Sequence, residues 1–241
     1  MVDAAARSSA SSAPSARSAG PARRTRAGED GRSSGRRGAE TREAIDRAAV
    51  KLFAKLGYHA ASMREIAAAA GIQPAAIYHW YPSKEAILVR LQDDFMEQLT
   101  AKVLAAMDRQ DRPALRLAAA VREHVVFHGL HRREAFVTDS EIRALTAGPR
   151  RALIAKRDAY EEIFAAEIRA GAEDGSLHST DPAVAAYAIL LQCTGVALWF
   201  DPRGNLSLDE VADLHIEISL GSVGASRRLI ATAIDRVRGA G

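Results

Sequence analysis
Residues 62–84, SMREIAAAAGIQPAAIYHWYPSK, read as two short helices joined by a tight turn. Ser62 and Glu65 have the spacing of a capping box, in which each side chain satisfies a backbone N–H left free at a helix start, so a helix is expected from about Met63. Met63, Ile66, Ala67 and Ala70 recur at helical spacing, and Gly71 has the backbone freedom to end that helix and turn. Pro74 suits the first turn of a helix, where the N–H it lacks would have no intrahelical partner, which predicts a second helix from Pro74 to about Trp80. Ala75 and Ala76 are small enough to let its start approach a groove closely. Pro82 ends it, and Ser83 caps a third helix that continues through Leu88. A short helix, a Gly turn and a second helix of this kind can lay the second helix in a DNA major groove.

Residues 62–88 resemble the helix-turn-helix region of TetR family regulators. The likeness runs in register through Ile66, Ala67, Ala70, Gly71, Ile77, Tyr78, Ser83, Lys84 and Leu88. With the amphipathic helix before it, the likeness covers residues 41–88; the rest of the chain matches the family in length and helical character only. Four positions depart from the usual pattern: Trp80 stands for a His, Tyr81 for a Phe, Gln73 for a Ser and Ala75 for a Gly. The resemblance implies that Ser62, Tyr78 and Lys84 hold the DNA backbone, a role that suits two hydroxyls and an ammonium facing phosphate oxygens. Gln73, Pro74, Ala75 and Ala76 form the leading turn of the recognition helix, where an amide reads adenine and methyl groups touch thymine, and Arg64 is placed to reach guanine. His79 completes the candidate DNA-contacting set. The competing reading of Arg64 and Gln73 is a solvated helix face, and that of Trp80 and Tyr81 is the small core of the head.

Charge divides the 241 residues the same way. Residues 1–40 carry eight Arg against four acids, residues 41–90 seven basic against four acidic, and residues 91–241 eighteen against twenty-two. The basic excess therefore belongs to the N-terminal end and the proposed DNA head. Residues 1–40, mostly Ala, Ser, Arg and Gly, have too few large apolar groups to offset ordering entropy, and a disordered basic tail is expected there. Its Arg23, Arg24, Arg26, Arg36 and Arg37 are either a minor-groove arm or a solvated tail. No apolar h-region follows the first charges, so no signal peptide is read.

From Thr41 the pattern is helical almost throughout, with no alternating strand run. Ile45, Ala48, Ala49, Leu52, Phe53 and Leu56 make one apolar face of a helix ending at Gly57. After Ser83 a long helix through Leu91, Phe95, Leu99 and Val103 is expected to link the head to a second domain. Further helices are expected over 113–127, 138–145, 149–172, 182–200 and 208–220. The fold class is therefore all-α: a helix-turn-helix DNA-binding head over 41–88 and a larger helical ligand-binding and dimerisation domain over 89–238. Residues 183–200 hold no charge, but their Ala content and internal Gln192, Thr194 and Gly195 favour a buried or subunit-interface helix over a membrane span. The family resemblance implies that helices 182–200 and 208–220 build a four-helix homodimer interface.

The resemblance further implies a small-molecule sensor among the central helices. Phe127, His128, Phe136, Tyr160, Phe164, Tyr187, Cys193 and Trp199 are the candidate pocket residues, each weighed against simple core packing, and such a lining favours an apolar or amphipathic effector. A weaker resemblance of residues 131–145 to members regulating lipid or acyl-thioester catabolism makes an acyl-CoA one candidate, with Arg132, Arg133 and Arg143 available to its phosphates. His124, His128 and His131 fall at i, i+4 and i+7, a spacing that could present metal ligands; Glu123 or Glu134 could add an oxygen. No Cys pair or H-E-x-x-H pattern supports a metal, so no metal and no cofactor is expected. Cys193 is the only cysteine, which excludes an intramolecular disulfide and suits a reducing cytoplasm. The expected function is a ligand-responsive repressor that binds a palindromic double-stranded DNA operator as a homodimer. Two other classes stay open to the residues alone: a helical enzyme, although no G-x-S-x-G elbow or phosphate loop is present, and a nucleoid-type protein binding DNA without sequence choice.

Overall fold
The computed structural model describes residues 27–239, with side chains from residue 36 onward. Every regular element among them is helical. In chain order they are α1 (Ala27–Leu56), α2 (Met63–Ala69), α3 (Ile77–Trp80), α4 (Lys84–Met107), α5 (Pro113–Leu130), α6 (Arg132–Ser140), a 3-10 turn (Glu141–Ala144), α7 (Ala147–Glu173), α8 (Pro182–Thr194), α9 (Val196–Trp199), α10 (Leu208–Ser222) and α11 (Arg227–Arg238).

The tail expected over residues 1–40 lies outside the described residues up to residue 26, including Arg23, Arg24 and Arg26. Its remainder is not irregular, because α1 begins at Ala27 rather than Thr41. Extending an existing helix needs no new nucleus, and an i, i+4 ion pair between Arg36 and Glu40 lies on this extension.

From Thr41 onward the chain packs as one compact unit. Ile45, Ala49 and Phe53 of α1 are buried with Ile66, Ala67 and Ile77 beneath the helix-turn-helix, and Ile87 and Leu88 of α4 belong to the same core. The expected boundary near Leu88 thus falls inside α4, which runs unbroken from the head into the larger helical bundle. At the centre of that bundle lies α5, packed against α4, α7, α8, α10 and α11. Its Ala118, Ala119, Ala120 and Val121 are buried around the helix, as expected when apolar residues occupy every face.

Local chemistry sets the helix ends. Ser62 caps α2 through the expected reciprocal pair with Glu65, Ser83 caps α4 by accepting from the Ala86 N–H, and Asp181 caps α8 by accepting from Ala183 and Val184. Gly71 turns out of α2 at φ 73°, in the left-handed region. Three expected spans differ, and one helix is additional. The recognition helix is α-helical only from Ile77, because the Ala76 N–H bonds the Gln73 carbonyl and tightens the first turn to a 3-10 type. The helix expected at 138–145 is α6 followed by the 3-10 turn; Thr138 and Ser140 bond back to the carbonyls of Ala135 and Phe136 and belong to the end of α6. The helix expected at 182–200 is interrupted at Gly195. Finally, the structure adds α11, capped by Ser226 and packed through Ala233 and Val237.

The 182–199 stretch is also less buried than expected. Val184, Tyr187 and Leu191 of α8, then Leu198 and Trp199, stand exposed, and Leu214 and Ile218 of α10 do the same. These positions fall at i, i+3, i+7 on α8 and i, i+4 on α10, so each helix carries an apolar stripe that this chain leaves uncovered.

Gly71→Ala tests the turn. No atom lies within 4 Å of an added Cβ, so the cost is backbone alone. A loss of about 1–2 kcal/mol in a denaturant melt is expected.

Candidate functional site
The head presents its expected contact residues outward. Ser62, Arg64, Gln73, Pro74, Ala75, Ala76, Tyr78 and His79 are all exposed, while Ile77 between them is buried and pins α3 to the core. Among the described residues, the side chains of Arg64, Gln73, Tyr78 and His79 make no hydrogen bond within the chain, so their polar groups are available to a partner. Tyr81 is core, as its competing reading had it, with its hydroxyl donating to Asp46 at 2.6 Å, and Trp80 lies half-buried beneath the Arg42 guanidinium at 5.7 Å.

Lys84 and Ser62 are differently placed. The Lys84 ammonium donates to the carbonyl oxygens of Tyr58 (2.6 Å), Ala61 (2.7 Å) and His59 (3.3 Å), and lies 4.4 Å above the Tyr58 ring. All three of its donors are therefore taken up by the loop between α1 and α2. The Ser62 hydroxyl donates to the Glu65 carboxylate at 2.6 Å, and this bond with the Ser62 backbone N–H holds that carboxyl below its ordinary range. Of the three residues expected at phosphates, Tyr78 alone keeps an unpartnered polar group among the described residues.

In the helical bundle, a cavity of about 780 Å³ lies among α4, α5, α6, α7, α8 and α9. Phe95, Met96 and Leu99 of α4 and Leu190 and Leu191 of α8 supply apolar walls; His124, His128, Arg157, Tyr160 and Thr194 supply polar groups. His124 Nδ1 lies 2.8 Å from the Tyr160 hydroxyl and its Nε2 lies 3.1 Å from Thr194 Oγ1, so this one ring joins α5 to α7 and α8. His128 stacks on it at 4.0 Å, with its Nδ1 2.9 Å from the His124 carbonyl oxygen. Burial lowers the pKa of both rings, that of His128 to about 4. Arg157 is tied to the Thr138 carbonyl and the Asp139 carboxylate.

Of the eight residues expected at a pocket, His128, Phe136, Tyr160 and Tyr187 line this cavity, and Phe127, Phe164, Cys193 and Trp199 do not. Phe127 borders a separate cleft with Glu43, Asp46 and His131. Phe164 is fully buried, packed on Tyr160 and on the edge of His124. Cys193 is fully enclosed and its thiol is pushed up to about 12 by burial. Trp199 faces outward, stacked on His215. Arg157 and Thr194 belong to no binding motif, so only the fold brings them to the histidines. The i, i+4, i+7 histidine spacing does not converge on an ion, because the ring nitrogens of His124 serve hydroxyls. No group of three His, Cys, Asp or Glu is placed to hold a metal among the described residues.

Comparison with known proteins bears on both regions. Residues 45–91 match the family model for bacterial regulatory proteins of the tetR family, and residues 110–223 match a tetracyclin repressor-like C-terminal domain. The chain is 30% identical to the HTH-type transcriptional repressor KstR2 of Rhodococcus jostii (strain RHA1), over 80% of this chain and 94% of that protein. Among solved structures it resembles a bacterial regulatory protein in the tetR family from Rhodococcus RHA1 (30% identity, TM-score 0.74, covering 77% of this chain and 98% of that one). It also resembles AibR in complex with isovaleryl coenzyme A and operator DNA (26% identity, TM-score 0.69, covering 75% and 98%).

Two outcomes follow from the geometry. Lys84→Ala leaves three carbonyls without their cation and is expected to destabilise the DNA-free protein by about 2 kcal/mol or more in a denaturant melt. His128 titrates near 4 when folded and near 6.5 when unfolded, so below pH 6.5 the unfolded chain binds the extra proton and stability falls as pH drops toward 4. Melts at pH 7 and pH 5 should differ by about 2 kcal/mol from this group alone, and His128→Phe should reduce that difference.

Proposed function
The chain belongs to the TetR family of bacterial transcriptional regulators, and from that premise we propose that it is a cytoplasmic repressor that binds a palindromic operator as a homodimer and releases it when an amphipathic small molecule fills the cavity beside α5. Its relatives are regulators, not enzymes, which sets the enzyme class aside.

The observation that carries the reading is the outward face of residues 73–79. Gln73, Ala75, Ala76, Tyr78 and His79 are exposed on a turn and a helix too short to serve as packing elements, held in place by the single buried Ile77. Gln73 offers a bidentate amide to adenine, the Ala methyls suit thymine, and Arg64 on α2 supplies a guanidinium for guanine. One such helix reads only a few bases, so two-fold symmetry is what makes the site long enough to be specific. The uncovered stripes of α8 and α10, with Val184, Leu214 and Ile218 exposed, support pairing through that face.

The cavity supports an effector with an apolar body and a polar end. AibR was solved with isovaleryl coenzyme A, and an acyl-CoA suits this cavity in the same sense: the acyl part among Met96, Leu99 and Leu190, the nucleotide phosphates toward exposed Arg143 on the 3-10 turn next to cavity-lining Ile142. Release of DNA requires only that the ligand bind better to the arrangement with the heads apart.

Selection of random duplexes by the purified protein, at fixed salt and competitor, tests the reading. An inverted repeat with half-sites about one helical turn apart is expected, and absence of any enriched sequence from folded protein sinks it. Gln73→Ala should change which bases are preferred at one position per half-site, by about 1–3 kcal/mol, with little change in affinity for unrelated duplex. Ile218→Glu should weaken dimerisation by about a hundredfold or more in sedimentation equilibrium, since it puts a charge into the paired stripes.

A further inference from the structure
Two polar groups of the cavity wall lack a partner, the Arg157 Nε–H and one nitrogen of His128. His128 is 2% exposed, yet it lines the cavity. Its Nδ1 lies 2.9 Å from the carbonyl oxygen of His124, which can only accept, so Nδ1 carries the ring's proton. Buried without a counter-charge, the ring is neutral at ordinary pH, and Nε2 is left with a bare lone pair. No described residue donates to that nitrogen. The ring cannot turn to find a donor, because it stacks on His124 at 13° interplanar angle and meets the edge of Phe95 at 5.4 Å. His124 is occupied on both nitrogens by Tyr160 and Thr194; Arg157 is held through one terminal nitrogen by Thr138 and Asp139, while its Nε–H, also without a partner, is left to the ligand as a donor.

We propose that the effector carries an alcohol on its apolar body, that this hydroxyl donates to His128 Nε2, and that His128 is the residue that selects it. The inference rests on the cavity being the effector site. A ketone, ester or carboxylate oxygen placed against His128 Nε2 would set one acceptor against another and leave that nitrogen unpaired. An alcohol satisfies the lone pair, while the surrounding Phe95, Met96, Leu99 and Leu190 accept its hydrocarbon. Sites built to hydrogen-bond a substrate hydroxyl discriminate strongly against analogues that lack it, whereas apolar contacts alone discriminate weakly.

Cyclododecanol and cyclododecanone make a matched probe pair: the same neutral ring, one with a donor and one with an acceptor only. Their binding to the full chain is read by calorimetry, with wild type, His128→Phe and His128→Gln compared. Wild type is expected to prefer the alcohol about tenfold or more. His128→Phe should bind both probes with that preference gone, and His128→Gln, whose amide oxygen still accepts, should retain part of it. In wild type labelled with nitrogen-15, the alcohol should shift the His128 Nε2 resonance, a readout that does not depend on either variant folding. Equal binding of the two probes, or preference for the ketone, overturns the proposal while leaving the cavity as a ligand site. Absence of binding by both overturns the proposal and the effector-site reading together.

Discussion
The Lys84 ammonium, held by three backbone carbonyls of the α1–α2 loop, is the contact on which the head's geometry depends. Lys84 is the first residue of α4, so this one cation fastens the start of the long helix to the loop that introduces the helix-turn-helix. These loop carbonyls accept from no other described backbone group, and a charged donor satisfies them more strongly than water would. The direction in which α4 leaves the head is therefore fixed at its first turn, and any movement of α4 must carry the recognition segment with it.

Two further bonds tie the head to the helical bundle at the level of the 3-10 turn. The Glu141 carboxylate accepts from the Tyr58 backbone N–H at 3.2 Å, and Glu85, at the start of α4, accepts from the Thr146 N–H at 2.6 Å. The Thr146 N–H holds the Glu85 carboxyl below its ordinary range. Ile142 lines the cavity and Glu141 beside it grips Tyr58, whose carbonyl in turn holds Lys84. Cavity wall, 3-10 turn, α1–α2 loop and α4 thus form a contiguous set of contacts between the cavity proposed for the effector and the head proposed to meet DNA. Such contiguity gives the two sites a physical means of sensing one another, to the extent that the turn has two arrangements of similar energy.

The parts of the fold set by neighbouring residues were legible in the sequence. The Ser62–Glu65 box, the turn at Gly71 and the Ser83 cap depend on contacts within four residues, and each is where its pattern puts it. The exposed face of residues 73–79 was legible for the same reason, although Pro74 was not, since the tight Ala76–Gln73 bond delays the α-helix to Ile77. The cavity was less legible because α5 and α8 are apolar on nearly every face, and periodicity cannot say which face meets a void. Phe164 and Tyr160 are one turn apart on α7 and equally aromatic; His124 packs the first against the floor and bonds the second at the wall. Lys84 shows the opposite failure, a residue whose chemistry suits a phosphate but whose partners, twenty-odd positions away, come only with the fold. The last helix, α11, escaped because its strongly basic outer face hides the narrow apolar row of Leu229, Ile230, Ala233 and Val237.

Tyr187, Leu191 and Leu198 belong at once to the cavity lining and to the uncovered apolar face. If two chains pair through that face, as proposed, one side of each chain's cavity is also the seam between them. By linkage, whatever stiffens or displaces those three side chains from inside alters how well two chains fit, and pairing alters the ligand's affinity by the same factor. In a protein so paired, effector strength would not be a fixed constant of the chain but would vary with how much of the protein the cell contains, so that abundance itself would become part of the signal.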